Sequence, residues 1–205
     1  LAAQDELLQG LIAEAGIATL ADTTASPADP RLRLWRGDIT TLAVDAIVNA
    51  ANPADRLLGA LHYCIDNAIH TFAGVQLREA CANLMAAQGH PEPTAQAKVT
   101  DAYNLPARYV INGRPIADGR PTDTHRRQLT ECYQACLDAV AGAGLASIAF
   151  CCISTGVFGF PQVGVSIAVA TVRRWLDEHP DASMTVVFNV FSETDEHLYR
   201  PLLGL

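Results

Sequence analysis

Basic residues are scarce in this chain. Lys and Arg number 14 against 22 Asp and Glu, a formal net charge of −8 over 205 residues. A nucleic-acid groove or a membrane-surface patch needs a basic face, so neither kind of partner is expected. Long apolar runs are also missing. None reaches the ~20 residues of a membrane span, and the first residues do not read as a signal peptide. There is no Gly-Lys-Ser/Thr loop and no full G-x-G-x-x-G turn, so two familiar phosphate-binding fingerprints are excluded. No segment repeats another. What is there is a globular composition, 50% hydrophobic and 18% charged, long enough for one large domain that buries roughly 70% of its extended-chain surface. An acidic protein can still hold an anion if backbone N–H groups and helix N-termini face it.

The six cysteines do not resemble a small secreted disulfide scaffold. Cys151 and Cys152 are adjacent in a strand-like run, Cys132 and Cys136 sit four apart on an expected helix, and Cys81 follows a helical pattern. All five read as buried, reduced thiols acting as small apolar groups, which points to a cytoplasmic setting.

Hydrophobic periodicity gives the organisation. Asp5 to Ala15 reads as an amphipathic helix with Leu7, Leu8, Leu11 and Ile12 on one face. Ala21 to Pro30 is rich in Thr, Ser, Asp and Pro and reads as a connector. Residues 1–30 therefore form a helical extension, and residues 31–205 the main domain. Strands are expected at Leu32–Trp35, Val44–Ala50, Lys98–Tyr103, Arg108–Ile111, Ser147–Ile153 and Thr185–Phe191. Helices are expected at Asp66–Gln88, Asp123–Ala141, Gln162–Glu178 and Asp195–Leu203. The alternation predicts a three-layer α/β/α domain with a mixed central sheet.

Three segments carry chemistry. In the first, Gly37-Asp38-Ile39-Thr40 leads into Val44–Asn52, an apolar strand interrupted by Asp45, Asn49 and Asn52. Such amides can cap the following loop and helix, or offer hydrogen bonds to a ligand at the sheet's C-terminal rim. In the second, Ser154-Thr155-Gly156-Val157-Phe158-Gly159-Phe160-Pro161 follows the most apolar strand and precedes a helix. It is either a tight turn or a loop whose backbone N–H groups and hydroxyls meet phosphate, with the two Phe rings against a sugar or base. In the third, His62 and Cys64 lie two apart before a helix, so in an extended segment both side chains point one way and can reach one Zn²⁺. Asp66 or Asn67 is expected to cap that helix. The bland alternative is a capped loop with a buried thiol. His70 reads as a helix-face residue.

Together these segments resemble the signature motifs of macrodomains, which bind ADP-ribose. The run His62-x-Cys64-Ile65-Asp66-Asn67-x-Ile69-His70 is similar to the zinc-containing microbial subgroup, as are Gln88-Gly89-His90, Pro93–Lys98 and Ala149–Ile153. The resemblance covers nearly the whole chain, helical extension included. It implies that Asp38 accepts from the adenine amino group while the Ile39 N–H pairs with the ring. Asn49 and Asn52 would lie near the distal ribose. Ser154, Thr155, Gly156, Val157, Phe158 and Gly159 would wrap the diphosphate, with Phe158 against the distal ribose, and Phe191 would pack on adenine. His62 and Cys64 would ligate zinc. Asn52, His62 and Cys64 would serve catalysis in a hydrolase that removes ADP-ribose from a mono-ADP-ribosylated protein. An ADP-ribose-binding module without hydrolysis, and a hydrolase of a small ADP-ribose derivative such as an acetylated ester, share the same implied cleft. Two departures stand out. The subgroup carries a further Cys a few residues before the His, where this chain has the shorter Gly59-Ala60-Leu61-His62 with no such Cys. After Ile111 the family continues with a His-Thr-Val-Gly-Pro-like stretch, where this chain has Asn112-Gly113-Arg114-Pro115.

Overall fold

The computed structural model describes residues 1–51, 64–90, 93, 95–113, 122–153 and 161–205. The chain opens with α1 (Ala2–Ala15), followed by the short strands β1 (Ala18–Thr19) and β2 (Thr24–Ala25). Next come β3 (Leu32–Arg36), a 3₁₀ turn over Ile39–Thr41, β4 (Leu42–Ala43) and β5 (Ala46–Ala50). Helices α2 (Ile65–Ala73) and α3 (Val75–Gln88) precede β6 (Ala97–Asp101) and β7 (Tyr109–Gly113). The remainder alternates: α4 (Asp123–Gly142), β8 (Ser147–Phe150), α5 (Pro161–Glu178), β9 (Thr185–Val190) and α6 (Glu193–Leu203).

Seven of these strands form one sheet in the order β2-β3-β9-β8-β5-β7-β6. The five inner strands run parallel, and β2 and β6 are antiparallel at the two edges. Parallel strands covered on both faces require continuous apolar runs. The sequence supplies them: Ala46, Ile47 and Val48 of β5, Ile148 and Ala149 of β8, and Val186 to Phe188 of β9 are fully buried. Each fully buried aliphatic side chain contributes about 1.5–3 kcal/mol relative to exposure. On one side α4 packs on α5 and α5 on α6; on the other α1, α2 and α3 pack together, with α2 also against β5. The mixed sheet between helical layers is the expected architecture. Among the described residues no helix is long and apolar enough to cross a membrane.

Three expectations need correction. The stretch from Asp66 to Gln88 is two helices, because Gly74 breaks it at φ 94° and ψ 179°. A side chain there would be strained by the positive φ, and its Cβ would lie 2.6 Å from Gln4 Nε2 and 2.7 Å from Gln76 Oε1. Of the four apolar residues assigned to one face of α1, Leu8 and Ile12 are buried while Leu7 and Leu11 are exposed. The docked stripe is thus one i, i+4 pair wide. The connector over residues 21–30 contains strand: Thr24 pairs with Leu34 and Ala25 with Arg33, and the Ser26 hydroxyl donates to the Leu203 carbonyl. Polar, Pro-containing sequence is compatible with a short edge strand, which is why composition concealed it.

Polar side chains seat the first helix. Gln76 Nε2 and Asn104 Nδ2 both donate to Asp5 Oδ1, at 2.8 and 2.9 Å, and Gln9 Nε2 donates to Asn104 Oδ1 at 3.0 Å. Asn104 Nδ2 also donates to the Ala73 carbonyl at the end of α2. The Asp5 carboxyl lies below the usual carboxylate range because Gln76, then Asn104, hydrogen-bond its charged form.

Candidate functional site

The parallel strands β7, β5 and β8 are neighbours, so their C-terminal ends share one rim. The described chain runs from that rim to Ala51, Gly113 and Ile153, and the Ala51 N–H donates to the Gly113 carbonyl. Asn52, His62 and Ser154–Gly159 lie outside the described residues. Asp38, Ile39, Asn49, Cys64 and Phe191 lie within them, and they occupy two corners of the same rim.

The first corner is the turn after β3. Asp38 caps it: Oδ1 accepts from the Thr40 N–H at 2.9 Å and from the Thr40 hydroxyl at 2.7 Å. Among the described residues its Oδ2 and the neighbouring Ile39 N–H make no hydrogen bond. An acceptor and a donor therefore stand side by side without partners on an exposed Asp and a buried Ile. The turn is braced from β9. Asn189 Nδ2 donates to the Gly37 carbonyl at 2.9 Å, and the Gly37 N–H donates to the Val190 carbonyl. Gly37 has no space for a side chain, because its Cβ would meet the Trp35 ring at 2.4 Å. Arg36 and Val190 are register partners, so Phe191 leaves β9 beside this turn. Its side chain is 79% exposed, which leaves an aromatic face open to a flat ligand.

The second corner joins β5, β7 and α2. Asn49 is completely buried. Its Nδ2 donates to Asp66 Oδ1 at 2.7 Å and to Asn112 Oδ1 at 3.0 Å, while its own Oδ1 is buried without a partner among the described residues. Asp66 is 2% exposed and lies 3.6 Å from His70 Nε2, one helical turn on. Burial pushes the His70 imidazole below its usual range; the Asp66 carboxylate opposes this and Arg78 adds to it. The His70 Nδ1 is also buried without a partner among the described residues. His70 is therefore not a plain helix-face residue. Nor does Asp66 or Asn67 occupy the cap position. Cys64 does, in extended conformation and without a side-chain cap bond, because α2 begins at Ile65. The Cys64 thiol is half-buried. Among the described residues no three His, Cys, Asp or Glu side chains converge to hold a metal ion.

Of the five other thiols, three are buried as expected and two only partly. Cys132, Cys136 and Cys151 are buried and Cys81 and Cys152 half-buried, none in a disulfide. Burial raises the Cys151 thiol well above its ordinary range and Cys81 to about 11, so both are inert. Sequence reasoning missed Asn112, although the argument that singled out Asn49, a polar side chain in an apolar strand, applies to it equally. It also missed Asn189 as the brace of the Asp38 turn.

Comparison with known proteins identifies the family. The Macro domain family model matches residues 48–168. A protein from Treponema medium named protein-ADP-ribose hydrolase is 51% identical over 98% of this chain and 78% of its own length. A protein of the same name from Staphylococcus aureus is 45% identical over 98% of this chain and 76% of its own. Among solved structures, the Trypanosoma brucei macrodomain in complex with ADP-ribose superposes with a TM-score of 0.79 at 35% identity, covering 92% of this chain and 77% of that one. The Oceanobacillus iheyensis macrodomain with ADP gives a TM-score of 0.76 at 34% identity, covering 84% and 90%. The chain belongs to the macrodomain family.

Proposed function

We propose that this macrodomain binds ADP-ribose and hydrolyses the bond between its distal ribose and a modified protein side chain. The observation that carries this reading is the Asp38–Ile39 turn, where a carboxylate oxygen adjoins an N–H, neither with a partner among the described residues, beside the exposed ring of Phe191. Adenine presents the complement: an amino group that donates, a ring nitrogen that accepts, and a flat face that stacks. Near-full-length identity to proteins named as ADP-ribose hydrolases supports the reaction.

In this reading Asp38 accepts from the adenine amino group, the Ile39 N–H donates to the ring and Phe191 covers it. Ser154–Gly159 hold the diphosphate through backbone N–H groups, which is how a chain of net charge −8 accommodates an anion. Phe158 and Asn52 position the distal ribose. His62 and Cys64 hold zinc, since imidazole and thiolate are donors that suit that ion. When bound, the ion supplies a Lewis acid at the distal ribose. Asp66 is engaged by Asn49 and is almost fully buried, which favours an orienting role over that of a solvent-facing base.

The test measures release of ADP-ribose from a mono-ADP-ribosylated protein, together with the zinc content of the purified chain. Loss of turnover on His62→Ala or Cys64→Ala, with ADP-ribose binding partly retained, is the expected result. Tight binding with neither turnover nor metal would instead identify a binding module. The short donor set, two expected ligands with Gly59–Leu61 contributing none, is what favours that second reading. Running an acetylated ADP-ribose ester in the same assay separates protein from small-molecule substrates.

A further inference from the structure

We infer that Asn49 is a positioning residue, the last link of a one-way hydrogen-bond relay that begins at Thr100 and ends on Asp66. This rests on the hydrolase reading for its kinetic consequence, but not for its geometry. The relay starts at the edge strand β6, where the buried Thr100 hydroxyl donates to the Val110 carbonyl at 3.3 Å. A hydroxyl has one proton. With that proton committed to a carbonyl, Thr100 Oγ1 can only accept from a side chain. Asn112 must then turn its amino group to Thr100, which it does at 3.3 Å. Its carbonyl oxygen is left facing Asn49, so Asn49 must present its own amino group there, at 3.0 Å. The second proton of that amino group goes to Asp66 Oδ1 at 2.7 Å.

Each link fixes the orientation of the next, so neither amide is free to flip. The sense of the whole relay is set by one backbone carbonyl. The leftover is the Asn49 Oδ1, buried with no partner among the described residues. An unmet buried acceptor is a cost that most proteins avoid. Here it is the necessary remainder of presenting both amino protons to fixed acceptors. Asn49, expected from the sequence to lie near the distal ribose, therefore acts through Asp66. Asn112, where the chain departs from the family pattern, is the middle link.

Thr100 lies two strands from β5, and its removal is the most informative test. In Thr100→Val the Asn112 amide loses its anchor and can turn over, so the Asn49 amino group loses an acceptor. The expected result is about a tenfold or greater fall in kcat with KM and ADP-ribose affinity little changed, since misplacement of a working group costs rate before binding. Thr100→Ser keeps the hydroxyl and restores kcat. NMR of the Asn49 side-chain NH₂ gives an independent reading. In the unsubstituted protein both protons are slow to exchange, and Thr100→Val shifts and deprotects them. If the protein shows no turnover at all, the hydrolase reading fails, while the NMR comparison still decides the relay. Unchanged Asn49 amide signals in Thr100→Val, or a kcat that Thr100→Ser fails to restore, would overturn it.

Discussion

The two ends of strand β5 treat their polar residues differently. At the start, every oxygen of Asp45 is engaged. Oδ1 accepts from Arg108 at 3.0 Å, and Oδ2 accepts from the Ala146 N–H and the Ser147 hydroxyl, each at 3.0 Å. The Asp45 carbonyl accepts from the Tyr109 N–H. At the far end Asn49 is more deeply buried, yet one of its atoms has no partner among the described residues. The first cluster ties β5 to the N-terminal ends of β7 and β8, and nothing in it is unfinished. The second leaves an acceptor open, as the Asp38 turn leaves both an acceptor and a donor. Complete satisfaction marks a polar group that serves the fold, whereas a remainder at the rim where α/β sheets bind ligands marks one that serves a task.

Substitution at each end should break that comparison if it is mistaken. The largest effect is expected for Asn49→Ala. It takes the Asn49 amino group away from Asp66 and from the Asn112 carbonyl oxygen, and should cost about 3 kcal/mol in urea denaturation while turnover collapses. Asp45→Ala should cost only about 1–2 kcal/mol, since Arg108 and water can rearrange at a partly exposed site, and the folded protein should keep its kcat. If Asp45→Ala lowered kcat more than Asn49→Ala, the division into structural and working ends would be wrong. Next in size, Asp38→Ala should weaken ADP-ribose binding by about 1–3 kcal/mol in calorimetry. Equal affinity in that variant contradicts the adenine assignment.

The smallest effect concerns pH. Burial pushes the Asp45 carboxyl up, but hydrogen bonds from the Ala146 N–H, Arg108 and Ser147 outweigh it and leave the group below its usual value of 3.8. A carboxylate with a lowered folded-state pKa stabilises the protein above its unfolded value and loses that contribution as the pH falls through the folded one. The unsubstituted protein should therefore lose stability below about pH 4 more steeply than Asp45→Asn. Parallel curves for the two would show that the Asp45 cluster contributes nothing through its charge.

Much of this was legible in the residues. Continuous apolar runs located the inner strands, since strands covered on both faces leave little else to choose from. The Gly37–Thr40 motif located the turn that holds Asp38. Other features were hidden for definite reasons. Helical periodicity runs through Gly74 without interruption, because a glycine at positive φ changes direction without changing the apolar pattern on either side. The pairing of Asn49 with Asp66 and Asn112 depends on register between segments far apart in sequence, and no local pattern encodes that. The α1 clasp uses side-chain amides, which read from sequence as ordinary surface polarity.

Gly74 has a consequence at the level of heredity. Every missense change in a glycine codon adds at least a Cβ, and here even one methyl group would collide with the amides of Gln4 and Gln76 while holding a backbone angle that other residues resist. Position 74 therefore offers no mild alleles. One nucleotide change would strain the junction of α2 and α3 and push aside the two glutamine side chains that help seat α1.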